Sequence, residues 1–184
     1  PEFLVFPWAE LERMGGAEPG EASLTVRLDE EIALTYLRLN EARVGGIVVD
    51  KPVCALRDDV TEPRLGLGFL ARFRVTMNFE FGLIHFGGED ERRFAVPPVI
   101  GVGIGLDRQV DGLWRILVAQ PSPAAAAGLR SGDLLVSVGG MNAGEAAAED
   151  LEKRLNPPAG TSTEVVVERD ALPITSTLTS AELL

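Results

Sequence analysis

The stretch GVGIGLDRQV, residues 101–110, sets Gly101, Gly103 and Gly105 at alternate positions ahead of an apolar and charged run. Glycine-rich turns cradle phosphates, act as linkers, or aim successive backbone N–H groups at one anionic oxygen. A phosphate loop of the G-x-x-x-x-G-K-[ST] type needs a lysine that reaches the outer phosphates, and no such pattern occurs. The dinucleotide fingerprint G-x-G-x-x-G must open a helix; counted from Gly103, its last glycine falls on Arg108, and LDRQVDGLWRILV reads as strand, turn and strand. What remains is a turn that feeds a strand and captures an anion with its own N–H groups.

Other reactive side chains form no recognisable device. His85 is the only histidine and lies within GLIHF, a strand-like run, and no G-x-S-x-G motif supplies a nucleophile for it. One histidine and one cysteine offer no clustered metal ligands, and no cofactor is expected. Asp58 and Asp59 are adjacent, so in extended chain their carboxylates point apart; these and the acids of GEDER read as solvated loop charges. Asn78 is assigned no catalysis. Cys54 stands alone within VCAL, which excludes an internal disulfide and reads as a small buried hydrophobe.

The elements that must position these residues belong to a folded chain of 184 residues, 46% hydrophobic and 24% charged. Its net charge of −11, with 17 Lys and Arg scattered among 28 acids, argues against a nucleic-acid partner. No run approaches the ~18 apolar residues of a membrane span, so no membrane insertion is expected. The beginning, PEFLVFPWAELER, lacks the pattern of a secretory signal, and PEF reads as a cloning-site remnant, which leaves the compartment unknown.

Short runs rich in Val, Ile, Leu and Thr read as strands: ASLTVRL, IALTYLRL, GGIVVDKPVCAL and RFRVTMNF in the first half, WRILVAQ, DLLVSVGG and TEVVVERD in the second. Helices are fewer. One is expected at PWAELERMGG, one at AAAAGL from Ala124 to its stop at Gly128, and one across NAGEAAAEDLEKRLN, capped near Asn142 or Ala143 and stopped by Pro157. The Pro, Gly and mixed charges of GGEDERRFAVPP read as a linker, giving domains at residues 1–88 and 98–184 with 89–97 between them.

In the second half, GIGL (Gly103, Ile104, Gly105, Leu106) resembles the G-Φ-G-Φ carboxylate-binding loop of PDZ domains. ILVAQPSPAAAAGLRSGDLLVSVGG resembles the strand, S-P-A-x-x-A-G-L-x-x-G-D, strand and G-G turn of bacterial PDZ domains, and AGTSTEVVVERDALPITSTLT their last hairpin. The resemblance implies that a peptide C-terminus adds as a strand along GLDRQ, its carboxylate taking the N–H groups of Ile104, Gly105 and Leu106. Ile104, Leu106, Leu151 and Leu155 would line a pocket for the last side chain, with plain core packing the competing role for Leu155. Asp107 and Arg108 would set preference further along the peptide. The closing SAELL itself looks like such a ligand, so self-association through Leu184 is an expectation to test.

The first half, through RLGLGFLARFRVTMNFEFGLIHF, resembles the end of a retropepsin-like aspartic protease domain, with its Φ-G-x-x-[FL]-L turn and helix followed by two strands. LTVRL and ALTYLRLNEARVGGIVVDKPVCAL resemble the middle strands of that domain, and FPWAELERMGG the segment after its catalytic strand. Bacterial lobes of this type are often followed directly by a PDZ domain. The family activates water between two carboxylates, each in an Asp-[Thr/Ser]-Gly turn, and the sequence contains neither D-T-G nor D-S-G. The motif is expected upstream of Pro1, so the residues in hand hold no catalytic set.

The expected fold is therefore mainly β, of α+β type: a β-rich partial acid-protease-like lobe followed by a PDZ β-sandwich or barrel with two helices. The expected partners are peptide or protein C-termini, with self-association also through the protease lobe. Whether the whole protein is a peptidase or a non-catalytic PDZ scaffold with a degenerate lobe, or carries the PDZ region of another protease class, stays open.

Overall fold

The computed structural model describes residues 4–7, 23–27, 33–57, 59–88 and 92–184. The helix expected at PWAELERMGG, Asp58 and most of GEDER lie outside the described residues. The strands of the first part are β1 (Leu4–Pro7), β2 (Ser23–Arg27), β3 (Ala33–Arg38), β4 (Glu41–Val44), β5 (Ile47–Asp50), β6 (Val53–Arg57) and β7 (Arg64–Leu65). Helix α1 (Leu67–Leu70) follows, then β8 (Arg74–Asn78), β9 (Leu83–Gly87) and β10 (Arg93–Ala95). The second part holds β11 (Ile100–Gly101), β12 (Ile104–Arg108), β13 (Trp114–Gln120), α2 (Pro123–Ala126), β14 (Leu134–Val138) and β15 (Met141–Asn142). It ends with α3 (Ala148–Leu155), β16 (Ser162–Arg169), β17 (Leu172–Thr179) and β18 (Ala181–Glu182). The fold is mainly β with few helices, as the residue pattern implies.

Two compact units result, Pro1–Ser23 with Thr35–Pro97, and Leu24–Leu34 with Pro98–Leu184. Strand β2 groups with the second unit because Val26 and Thr25 pair with Ala119 and Gln120 of β13, a long-range pairing that linear composition does not reveal. Residues 93–95 of the expected linker are also structured: β10 runs parallel to β5, Phe94 is buried, and the Arg93 guanidinium grips Asp50.

In the first unit, β3, β6, β1 and β7 lie side by side, β6 and β1 parallel and the outer pairs antiparallel. Strand β6 is flanked on both edges and its Val53, Cys54, Ala55 and Leu56 are all buried, which explains why VCAL is an unbroken apolar run rather than an alternating one. Burial pushes the Cys54 thiol up to about 12, so it behaves as an inert hydrophobe. The run GGIVVDKPVCAL forms two strands instead of one, because Lys51 takes φ 52° and Pro52 has no N–H to donate. Arg38 ties this corner to the end of the unit by donating to the carbonyls of Lys51 at 2.6 Å, Val96 at 3.1 Å and Pro97 at 3.0 Å. GLGFL makes the short α1, and Phe69 packs with Phe73, Phe86 and Phe94, anchoring the base of the β8–β9 hairpin. Exposed His85 stands opposite Thr76 in that hairpin, and Asp59 is gripped by Arg57, whose hydrogen bond holds its carboxyl below the usual range.

The second unit packs one core from β12, β13, β14, β16 and β17 against α2 and α3, with Ile116, Val138, Leu151, Leu155, Val165 and Val167 fully buried. Strands β14, β16 and β17 form an antiparallel ladder beside β13. Residue Leu184 is buried, and Val99 and Leu184 exchange backbone bonds through Leu183 N–H to Val99 O at 2.8 Å and Val99 N–H to Leu184 O at 2.9 Å. The last apolar side chain of SAELL thus finds cover within its own unit.

Asp133, in the G-D turn before β14, is the deepest charge of this unit, its side chain 4% exposed. It accepts from Arg130 N–H at 2.9 Å and from Arg169 Nε and Nη2, both at 2.7 Å. Burial by itself would raise this carboxyl, but the Arg169 guanidinium and the Arg130 N–H outweigh it and hold the group below its ordinary value. A carboxyl depressed in the folded state stabilises above its unfolded value of ~3.9 and loses that contribution as pH falls through the folded value. Urea unfolding should therefore show Asp133→Asn less stable by about 2–4 kcal/mol at neutral pH. The gap should narrow on acidification to about pH 3; a gap independent of pH would remove the pair from this role.

Candidate functional site

Two of the three glycines of GVGIG have a steric reason. Gly103 takes φ +82°, and a Cβ there would overlap the Ser122 side chain; a Cβ on Gly101 would overlap the Asn156 carboxamide. The backbone between them is tied on three sides. Val102 N–H donates to Leu155 O at 3.2 Å, Ala124 N–H to Val102 O at 3.0 Å, and Ala119 N–H to Gly103 O at 2.9 Å. Ser122, against which Gly103 rests, is itself the N-cap of α2 and accepts from Ala125 N–H at 3.1 Å. The S-P-A motif therefore does more than begin a helix: it is the floor on which the glycine turn lies. Gly128 exits α2 at φ +80°, as its position after AAAA implies.

From that turn β12 runs antiparallel to β13, Ile104 opposite Val118 and Arg108 opposite Trp114. Val118 N–H donates to Ser131 Oγ and Ile116 N–H to Asp133 O, both away from β12, while Ala119 N–H donates toward it. In an antiparallel ladder this alternation directs the N–H and C=O groups of Ile104, Leu106 and Arg108 off the outer edge of β12. Among the described residues no strand pairs with that edge. Gly105 and Asp107 fall at the alternate positions, facing β13. Three consecutive donors from Ile104, Gly105 and Leu106 are therefore not what the strand presents; its two-residue period brings together Ile104 and Leu106, preceded by Gly103, whose N–H has no partner among the described residues.

The expected pocket residues are placed in the core: Leu151 and Leu155 are 0% exposed and Ile104 7%, while Leu106 is partly buried against the same cluster. They serve the core rather than stand open to solvent. Asp107 accepts from Gln109 Nε2 at 2.6 Å, and the Arg108 guanidinium lies 5.2 Å from the Trp114 ring centre, a cation–π contact that draws it along β13.

Helix α3 borders the open edge, and it starts later than its composition implies. Asn142 is consumed in β15 and its Oδ1 accepts from Gly144 N–H, while buried Ala143 donates to Val136 O, so the first helical residue is Ala148, capped by Ala147. At ~100° per residue, Ala148, Glu152 and Asn156 step along one flank of α3 beside the buried Leu151 and Leu155. Asn156, the C-cap of α3, lies against Gly101 of β11, three residues before β12, so this flank is the one turned to the glycine turn. The opposite flank, with Asp150 and Arg154, lines a cavity of about 490 Å³ together with Gly139, Met141, Thr163 and Glu164. Sequence reasoning passed over Ala148, Glu152, Asn156 and Ser122; the first three could have been found by stepping four residues along the helix beside Leu151 and Leu155, whereas Ser122 is a close approach without a sequence signal.

Gly103→Ala combines a strained φ with an overlap and should cost about 2 kcal/mol of stability. Amide resonances of Ile104 and Leu106 should move with it. Unchanged stability together with unmoved resonances would mean that the turn does not set the edge.

A family model of the PDZ domain matches residues 115–169. That span runs from β13 through β16 and begins beyond the glycine turn. No curated protein matches the chain. Among solved structures, the photosystem II D1 C-terminal processing protease is 25% identical over 47% of this chain and 24% of its own, with TM-score 0.44. The PDZ domain of the carboxy-terminal protease from Vibrio cholerae, in complex with peptide, is 24% identical over 46% of this chain and 95% of its own, with TM-score 0.39. The serine endoprotease from Yersinia pestis is 15% identical over 88% of this chain and 62% of its own, with TM-score 0.38. The chain thus spans about a quarter of the length of the first of these proteins.

Proposed function

We infer that this chain, which carries a PDZ domain at residues 115–169, is the peptide-binding module of a protease-associated protein and takes peptide C-termini by strand addition. The observation that carries this reading is the outer edge of β12, with which no strand pairs among the described residues and whose Ile104, Leu106 and Arg108 backbone groups face away from β13 beside α3. An extended peptide laid there continues the sheet, and its terminal carboxylate meets the N–H groups of Gly103, Ile104 and Leu106 at the turn. Gly105 contributes by having no side chain to crowd the guest. Because Leu151 and Leu155 are already buried, the last apolar side chain enters by displacing the contact between α3 and β12 rather than by filling an open hole, which favours weak, reversible binding.

A peptide with a free C-terminus and an apolar last residue should bind in roughly the micromolar range. It should shift the amide signals of Ile104 and Leu106 more than that of Gly105, and amidation of its carboxylate should abolish binding. Indifference to amidation would remove the glycine turn from the mechanism.

For the first unit, the reading is the closing part of a retropepsin-like lobe of a bacterial aspartic peptidase. GLGFL forming α1, followed by the β8–β9 hairpin in the order that the resemblance implies, supports it. The alternative reading is a non-catalytic PDZ scaffold with a degenerate lobe. Sequencing the native gene upstream of Leu4 decides between them: an Asp-[Thr/Ser]-Gly codon run is expected for the peptidase, and its absence would leave the scaffold.

A further inference from the structure

The rim of the β12 edge carries charge of a particular sign. On the helix side, Glu152 is exposed and its carboxylate has no hydrogen-bond or ion-pair partner among the described residues, while its backbone carbonyl accepts from Asn156 N–H at 3.0 Å and Asn156 Nδ2 at 2.9 Å. Beside it Ala148 leaves space, and Glu149 precedes it on the outer turn. On the strand side, Asp107 is exposed and bonded only to the neutral Gln109. The nearby cations are turned elsewhere: Arg108 lies over Trp114, Arg115 donates to Gly132 O, and Arg154 donates to Gly139 O across the far flank of α3. Lys153 lines the cavity on that far flank as well.

The direction of a guest strand follows from the same contacts. The C-terminal end of α3 meets the glycine turn through Val102 N–H and Leu155 O, so a carboxylate at the turn places the last peptide residue beside Leu155. Side chains of an extended chain alternate, so the last residue and the one two before it share the face that looks at α3. Two residues of strand advance ~6.6 Å, close to the ~5.4 Å of one helical turn, which carries that second side chain from Leu155 to the level of Glu152 and Ala148.

We propose that Glu152 makes this groove selective for C-terminal peptides with lysine or arginine two residues before an apolar last residue. This rests on the strand-addition reading above. A basic side chain there reaches the Glu152 carboxylate over the methyl of Ala148 and offsets an acidic rim that would otherwise repel the terminal carboxylate; an acidic side chain at the same place adds a like charge.

The test titrates the whole chain with three peptides that share an apolar last residue and differ only two positions earlier, in lysine, alanine or glutamate. The lysine peptide should bind about three- to tenfold more tightly than the alanine peptide, with the glutamate peptide weakest. Salt at about 0.5 M should erase most of the difference. In Glu152→Lys, an exposed change that leaves the core intact, the order should invert. Equal binding of the three peptides, or a lysine preference that survives Glu152→Lys, overturns the selectivity while leaving strand addition standing. If none of the three binds, strand addition itself fails and the selectivity with it.

Discussion

Val102 and Gly103 stand where three elements meet. The Val102 N–H holds the end of α3 through Leu155, its carbonyl holds the start of α2 through Ala124, and the Gly103 carbonyl holds β13 through Ala119. Close contact with Ser122 forbids any side chain at Gly103, and with every other group of this short segment engaged, the Gly103 N–H is left without a partner among the described residues. A backbone segment so constrained cannot rotate its neighbours independently. It fixes which groups of β12 face β13, which leave the sheet, and on which side α3 runs.

The core of the second unit depends on the same junction. Leu151 and Leu155 are carried into the cluster around Ile116, Val138 and Val165 by a helix of only eight residues, whose isolated stability would be negligible. Its place is maintained by packing and by the Leu155 carbonyl bond, with acids in its first turn and Lys153 and Arg154 in its last complementing its dipole. At the other end of the sheet the Asp133–Arg169 pair joins the turn before β14 to the end of β16. The β12 edge is thus built from elements secured elsewhere in the unit.

Much of this was legible in the residues. Short runs rich in Val, Ile, Leu and Thr marked the principal strands, S-P and A-G-L marked α2 and its exit, and G-D marked the turn into β14. The loop G-Φ-G-Φ pointed to the edge. Four features were not legible. Lys51 with Pro52 splits one apolar run, Asn142 and Ala143 leave the helix for a strand and a buried turn, Phe94 turns part of a charged linker into β10, and β2 joins a sheet far away in sequence. For Phe94 and β2 a long-range partner overrides local composition, whereas the split at Lys51–Pro52 and the turn at Asn142–Ala143 come from backbone conformation and near neighbours.

The sequence alone determined that a glycine turn precedes an extended run, that no phosphate loop, metal cluster or Asp-[Thr/Ser]-Gly motif occurs within it, and that short strands with few helices make up the chain. Those conclusions rest on local sterics and on residue chemistry that needs no partner. Only the tertiary structure decided that Leu151 and Leu155 serve the core, that Leu184 is covered within its own unit, and that Ile104 and Leu106 rather than Gly105 direct their N–H groups off the sheet. Which side a group faces depends on ladder register and helix phase, and both are settled by contacts between residues distant in the chain.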